Sequence, residues 1–258
     1  MVIYCGKSNN NPYYIKEADL SIKSIQELAY FIYNYAILIS NSFITKNLIL
    51  YIDNSLKLPN LASDLNSMFN KKVDLSDILT HILANSNFYN DEEITLFRKK
   101  LLKLLSLPED DYILNAGDKL FQLKKFEKAI FQYSKISKKN NNALLRLALS
   151  YAKLQFYEIA ADYFGDLYKS TKSINVLREA YFCFKLNGTV DRIREIEPRI
   201  DENLLADWEY EIVSKIIKVR KDDVMKEYED IFLMGSSYIK DSISALIKKW
   251  KEKYRYIG

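Results

Sequence analysis

Residues 125–137 (KFEKAIFQYSKIS) align with residues 156–168 (FYEIAADYFGDLY) at an offset of 31, and this periodicity constrains the fold more than any single motif. Phe126 falls on Tyr157, Ala129 on Ala160, Tyr133 on Phe164 and Ile136 on Leu167. Upstream, at the same offset, Ile113 falls on Leu144, Ala116-Gly117 on Leu147-Ala148, and Leu120 on Tyr151. Within each copy the apolar residues recur at three- and four-residue steps, the period of a helix. A unit of this length holds two helices and a turn. One such unit cannot bury its own apolar face, so units of this kind stack. A weaker third copy begins at Val176, with Ala180, Cys183 and Leu186 in register, and its second helix fades after Gly188.

The pattern resembles the tetratricopeptide repeat, over residues 110–198 or thereabouts. In that family small residues stand where the paired helices cross. Gly117 and Ala129 hold those places in the first unit, Ala148 and Ala160 in the second, with Tyr133 and Phe164 at the aromatic position. A side chain of one hydrogen or one methyl lets helix axes approach closely. The chain departs from the family in having Ile113 and Leu144 at the opening tryptophan position, no closing proline and a short period. The expected fold is all-α: a right-handed α-solenoid of helix–turn–helix units, with an N-terminal helical block (1–107), the repeats (108–200) and C-terminal capping helices (201–258). Six Gly and four Pro agree, because turn-rich β folds use many more of both.

The N-terminal block shows no repeat. Helices are expected near 24–39, 45–54, 60–69, 75–86 and 91–105, while residues 1–23 resist classification. Val2-Ile3-Tyr4 reads as a short strand or an extended arm, and Asn9-Asn10-Asn11-Pro12 as a turn. Leu28 to Thr45 runs eighteen residues without a charge, a length at which a membrane span is considered. Against a span stand Asn34, the Ser40-Asn41-Ser42 break and a Ser24/Glu27 capping box opening an amphipathic stripe. In the last region, Asp201 can cap a helix bearing Leu204, Leu205, Trp208, Ile212, Ile216 and Ile217. A further helix is expected with Ile231, Phe232, Ile239, Ile243, Leu246 and Trp250, interrupted near Gly235-Ser236-Ser237.

Several function classes are disfavoured. The chain carries one histidine and two cysteines, Cys5 and Cys183, too few for a zinc site or a disulfide framework. A reducing compartment fits, and no signal-peptide pattern opens the chain, so a cytoplasmic location is expected. His81 sits four residues from Asp77, a spacing read as an ordinary helix-surface pair. Cys5-Gly6-Lys7 lacks the setting of a phosphate loop. Glu109-Asp110-Asp111 and Asp91-Glu92-Glu93 open helices and complement their dipoles without a metal. No catalytic residue, metal or cofactor is expected. The net charge is +4, all of it in residues 245–258, where five cations face one anion; a solvated helix end accounts for that segment, and neither nucleic acid nor membrane is the expected partner.

The resemblance implies a concave groove that binds extended peptides. Its lining would be Leu114, Asp118, Phe121 and Gln122 from the first unit, Leu145, Leu149 and Lys153 from the second, and Leu177, Tyr181, Phe184 and Lys185 from the third. The groove is either open to a partner or filled by the protein's own flanking helices. The carboxylate clamp of chaperone-binding family members is not expected, since Leu114 and Asp118 stand at its Lys and Asn positions and only Arg178 matches a cation. The expected function is a non-enzymatic adaptor for a protein or peptide. The alternative is a regulator resembling bacterial peptide-responsive proteins, with the N-terminal helices carrying the output.

Overall fold

A computed structural model of the chain describes residues 11–40, 42–136, 140–220, 245, 247 and 248. The expectations for Val2-Ile3-Tyr4, Cys5-Gly6-Lys7, the helix around Ile231 to Trp250 and the basic end lie outside the described residues, apart from isolated positions. What is described is predominantly helical.

The chain opens with a hairpin that sequence periodicity did not reveal. Strands β1 (Tyr13–Ile15) and β2 (Leu20–Ile22) pair antiparallel, Tyr13 opposite Ile22 and Ile15 opposite Leu20. Ile15 and Ile22 point into the core while Tyr14 and Ser21 face water, the two-residue alternation of a half-buried ribbon. Asp19 takes the left-handed backbone conformation in the turn, with φ of 52°. Three-residue strands are too short to show a period, which is why 1–23 resisted classification.

Five expected helical stretches follow. Helix α1 (Ile25–Tyr35) is capped by Ser24, whose hydroxyl accepts from Glu27 N at 3.1 Å. The Glu27 carboxylate reaches back to accept from Lys23 N. The uncharged run then breaks: α1 ends at Tyr35 and a 3₁₀ turn covers Ala36–Leu38. No helix among the described residues is long and apolar enough to cross a membrane. The stretch expected at 45–54 is helix α2 (Lys46–Leu50) continued by a π turn at Tyr51–Ser55. Helices α3 (Pro59–Asn70), α4 (Leu75–Asn85) and α5 (Asp91–Leu105) complete the block. Asn90 and Glu93 close a reciprocal capping box at α5, both bonds at 2.9 Å.

Between residues 108 and 200 the described residues form α6 (Glu109–Gln122), α7 (Phe126–Tyr133), α8 (Asn141–Lys153), α9 (Tyr157–Thr171), α10 (Ile174–Asn187) and the short α11 (Ile193–Ile196), and α12 (Glu202–Arg220) follows in the expected capping region. From α6 to α10 each helix packs chiefly on the next in sequence, and α6 also meets α8. The same turn recurs between the helices of each pair. Lys124 and Gln155, 31 residues apart, are both left-handed at φ of 59° and 64°, and Gly188 follows at 78°. Each turn is closed by the same long backbone bond: Lys125 N to Leu120 O at 2.9 Å, Phe156 N to Tyr151 O at 3.0 Å, and Thr189 N to Phe184 O at 2.9 Å. The third turn falls 33 residues after the second, and its second helix shrinks to a 3₁₀ turn (Val190–Arg192) and α11. That shrinkage is the degradation seen after Gly188 in the sequence.

Small residues sit at the helix contacts. Ala129, Ala148 and Ala160 have no exposed surface, and a Cβ added to Gly117 would lie 2.2 Å from Tyr133 Cε1. Tyr133 and Phe164 are fully buried beside them. One buried cluster runs unbroken from Ile15 to Leu147, so the helix break at Pro108 does not divide the core. Tyr112 fastens that junction by donating to Ile37 O at 2.8 Å. A second cluster takes in Ala148 through Ile200 and Trp208, joining α12 to the last repeats.

Candidate binding groove

The eleven expected groove residues divide by unit. On α10, Leu177, Tyr181 and Phe184 are buried, at 1%, 4% and 1% exposure. Arg192 lies over the Phe184 ring at 5.1 Å, and Tyr181 meets α12, which carries the Leu204/Trp208/Ile212 stripe and is opened by Asp201, whose side chain accepts from Asn203 N at 2.8 Å. Trp208 packs against the Tyr181 ring with centroids 5.6 Å apart. Tyr181 donates to Glu209 Oε2 at 2.7 Å, and Lys185 pairs with Glu209 Oε1 at 2.7 Å. Arg178 stands 3.7 Å from Glu211. Of the two states left open for the groove, the third unit's share is filled by the protein's own helix. Lys185 and then Tyr181 hold the Glu209 carboxyl below the usual glutamate range, while burial and Glu209 push the Tyr181 phenol up.

On α6 and α8 the picture differs. Leu114 faces inward as part of the core. Asp118 is engaged: Arg146 of α8 grips it through Nε at 2.6 Å and a terminal nitrogen at 2.8 Å, and Tyr133 donates to it at 2.7 Å. Burial and the Asp118 bond push the Tyr133 phenol up. Asp118 is therefore a strut between the first two units, with its charge neutralised by a fork-shaped pair. Neither Arg146 nor its match to Asp118 was visible in the sequence, because the two lie 28 residues apart without a shared helical face. Phe121 is half-buried against the edge of Phe126, and Leu145 is half-buried; Gln122, Leu149 and Lys153 are exposed. These five side chains are the part of the expected groove that remains accessible.

The sequence-level enzyme candidates resolve into structural pairs. His81 does not pair with Asp77. Its Nε2 lies 3.1 Å from Asp64 of α3, while Asp77 takes Arg98 of α5 at 2.6 Å. Partners on neighbouring helices displace the within-helix pairing that spacing alone suggested. Among the described residues, no group of three His, Cys, Asp or Glu side chains could hold a metal ion. Cys183 is a free, buried thiol pushed up to about 12, chiefly by burial, which keeps it protonated and unreactive.

Comparison of the chain with family models, curated proteins and solved structures gives no match.

Proposed function

We propose that the chain is a non-enzymatic adaptor of the tetratricopeptide-like, right-handed solenoid type, working in the cytoplasm, and that it holds an amphipathic segment of a partner protein against α6 and α8. The observation that carries this reading is α12 itself. An amphipathic helix lies on the third unit with an aromatic anchor, Trp208, and acidic residues meeting Tyr181, Lys185 and Arg178. Helix-in-groove docking of this kind is a recurring mode of protein recognition. The equivalent faces of the first two units offer Phe121, Leu145 and Leu149 with Lys153 at the rim.

The test is affinity capture with the full chain and with a Phe121→Ala/Leu149→Asp variant, after confirming equal thermal stability. The reading expects a protein recovered by the parent chain and lost by the variant. Equal recovery of every captured protein would move binding off this face.

A further inference from the structure

A cleft of about 430 Å³ opens where the N-terminal block meets α6, and none of the expected groove residues lines it. Its floor is apolar, with Ile37, Phe97 and Leu101 all buried. Its rim is cationic. Lys100 and Lys103 come from successive turns at the end of α5, and Lys119 comes from α6. No carboxylate lines the cleft, and among the described residues none of the three lysines makes an ion pair. Lys100 lies over the Tyr33 ring at 5.8 Å, and Lys119 lies over the Tyr35 ring at 5.8 Å and donates to Gln122 Oε1 at 3.3 Å, so neutral groups rather than anions hold their ammonium groups. Asn115, also at the rim, adds an amide.

We propose that this cleft binds a small organic anion with an apolar body, such as a medium-chain carboxylate. Three cations without a carboxylate partner, lining one cleft with an apolar floor, favour one ligand chemistry: a hydrocarbon or aromatic portion against Phe97 and Leu101, and an anionic head toward Lys100, Lys103 and Lys119. The volume lies within the range of small-molecule clefts, which combine an apolar lining with a few placed polar groups. Charge-assisted bonds from ammonium to carboxylate give the head group its selectivity. The cleft also has a sequence logic. Lys103 and Lys119 lie in the last turns of α5 and α6, where a cation complements the helix dipole, whereas Lys100 stands a turn earlier on α5 and faces the same cleft.

The test is isothermal titration of the full chain with sodium decanoate and with decanamide, its neutral counterpart. The expected result is one saturable site for decanoate, weakened by added salt, with decanamide binding at least about tenfold more weakly. A Lys100→Gln/Lys119→Gln variant should lose that preference while keeping its thermal stability, since both lysines are on the surface. Leu104→Trp, which fills the cleft without touching the charges, should abolish binding of both compounds. Equal affinity for the two compounds, an unchanged preference in the lysine variant, or the absence of a saturable site would each overturn the proposal. So would a peptide with an apolar, free C-terminus that binds these lysines where decanoate does not.

Discussion

Replacing Gly117 by alanine tests the helix contact through the sign of its effect. In the interior of an unconstrained helix, Gly→Ala stabilises by about 1 kcal/mol. In this chain the new methyl would sit 2.2 Å from Tyr133 Cε1 and 2.6 Å from Cδ1. Carbon atoms in good contact stand 3.5–4.0 Å apart, so roughly 1.3 Å of overlap must be relieved. The flexible end of a surface side chain would swing away at little cost. Tyr133 cannot, because it is 1% exposed and its hydroxyl donates to Asp118, which Arg146 also holds. Overpacking costs about 1–3 kcal/mol and weakening a bond to a charged acceptor adds up to about 1.5–3 kcal/mol. With both costs in full and the helix gain subtracted, the variant should be destabilised by about 1.5–5 kcal/mol. At roughly 2–4 °C per kcal/mol for a chain near this size, thermal unfolding followed by circular dichroism should show a clear fall in Tm. In a Tyr133→Leu background the penalty should shrink or reverse. An unchanged or raised Tm for Gly117→Ala in the parent chain would refute the close approach of α6 and α7.

Three further outcomes follow from the same structure. Asp118→Ala leaves Arg146 and Tyr133 without their shared acceptor and should cost about 1–3 kcal/mol, whereas an Arg146→Lys variant, which keeps the charge but loses the fork, should fall between it and the parent. In a Cys5→Ser variant, Cys183 should resist a thiol-specific reagent near pH 8 and react fully on unfolding; rapid labelling of the native chain would show that α10 is not covered. Glu209 carries a folded-state pKa below the usual glutamate value, so its contribution to holding α12 is present above the ordinary glutamate range and is lost as pH falls through the lower folded value. Trp208 fluorescence in a Trp250→Phe variant should therefore shift toward that of an exposed indole below about pH 4.5, and a Glu209→Gln variant should remove the pH dependence.

Which parts of this fold could be read from the sequence depends on whether a feature repeats. The helices of both halves showed themselves through three- and four-residue spacing, and caps such as Ser24 and Asp201 marked their starts. The turn at Lys124 and Gln155 is a tertiary consequence of the 31-residue offset, although neither residue is a glycine that would announce a positive φ. The hairpin at residues 13–22 stayed hidden because two strands of three residues carry no period. In the expected groove, the family pattern could not separate covered positions from accessible ones. Tyr181 has the same spacing as an exposed recognition residue, and the docking of α12 on it separates it from Leu149. The Asp118–Arg146 pair and the Lys100/Lys119 rim join residues from different helices, where spacing along one helix says nothing.

The central claim is that α12 fills the third unit's groove while the first two units present an accessible face. Photo-crosslinking tests it most directly, with p-benzoylphenylalanine placed at Lys185 in one variant and at Leu149 in another. The account predicts that the Lys185 probe links within the chain, to peptides from residues 202–220, and that the Leu149 probe links to a separate protein. A Lys185 probe that captures another protein, or a Leu149 probe that links only to its own chain, would contradict it.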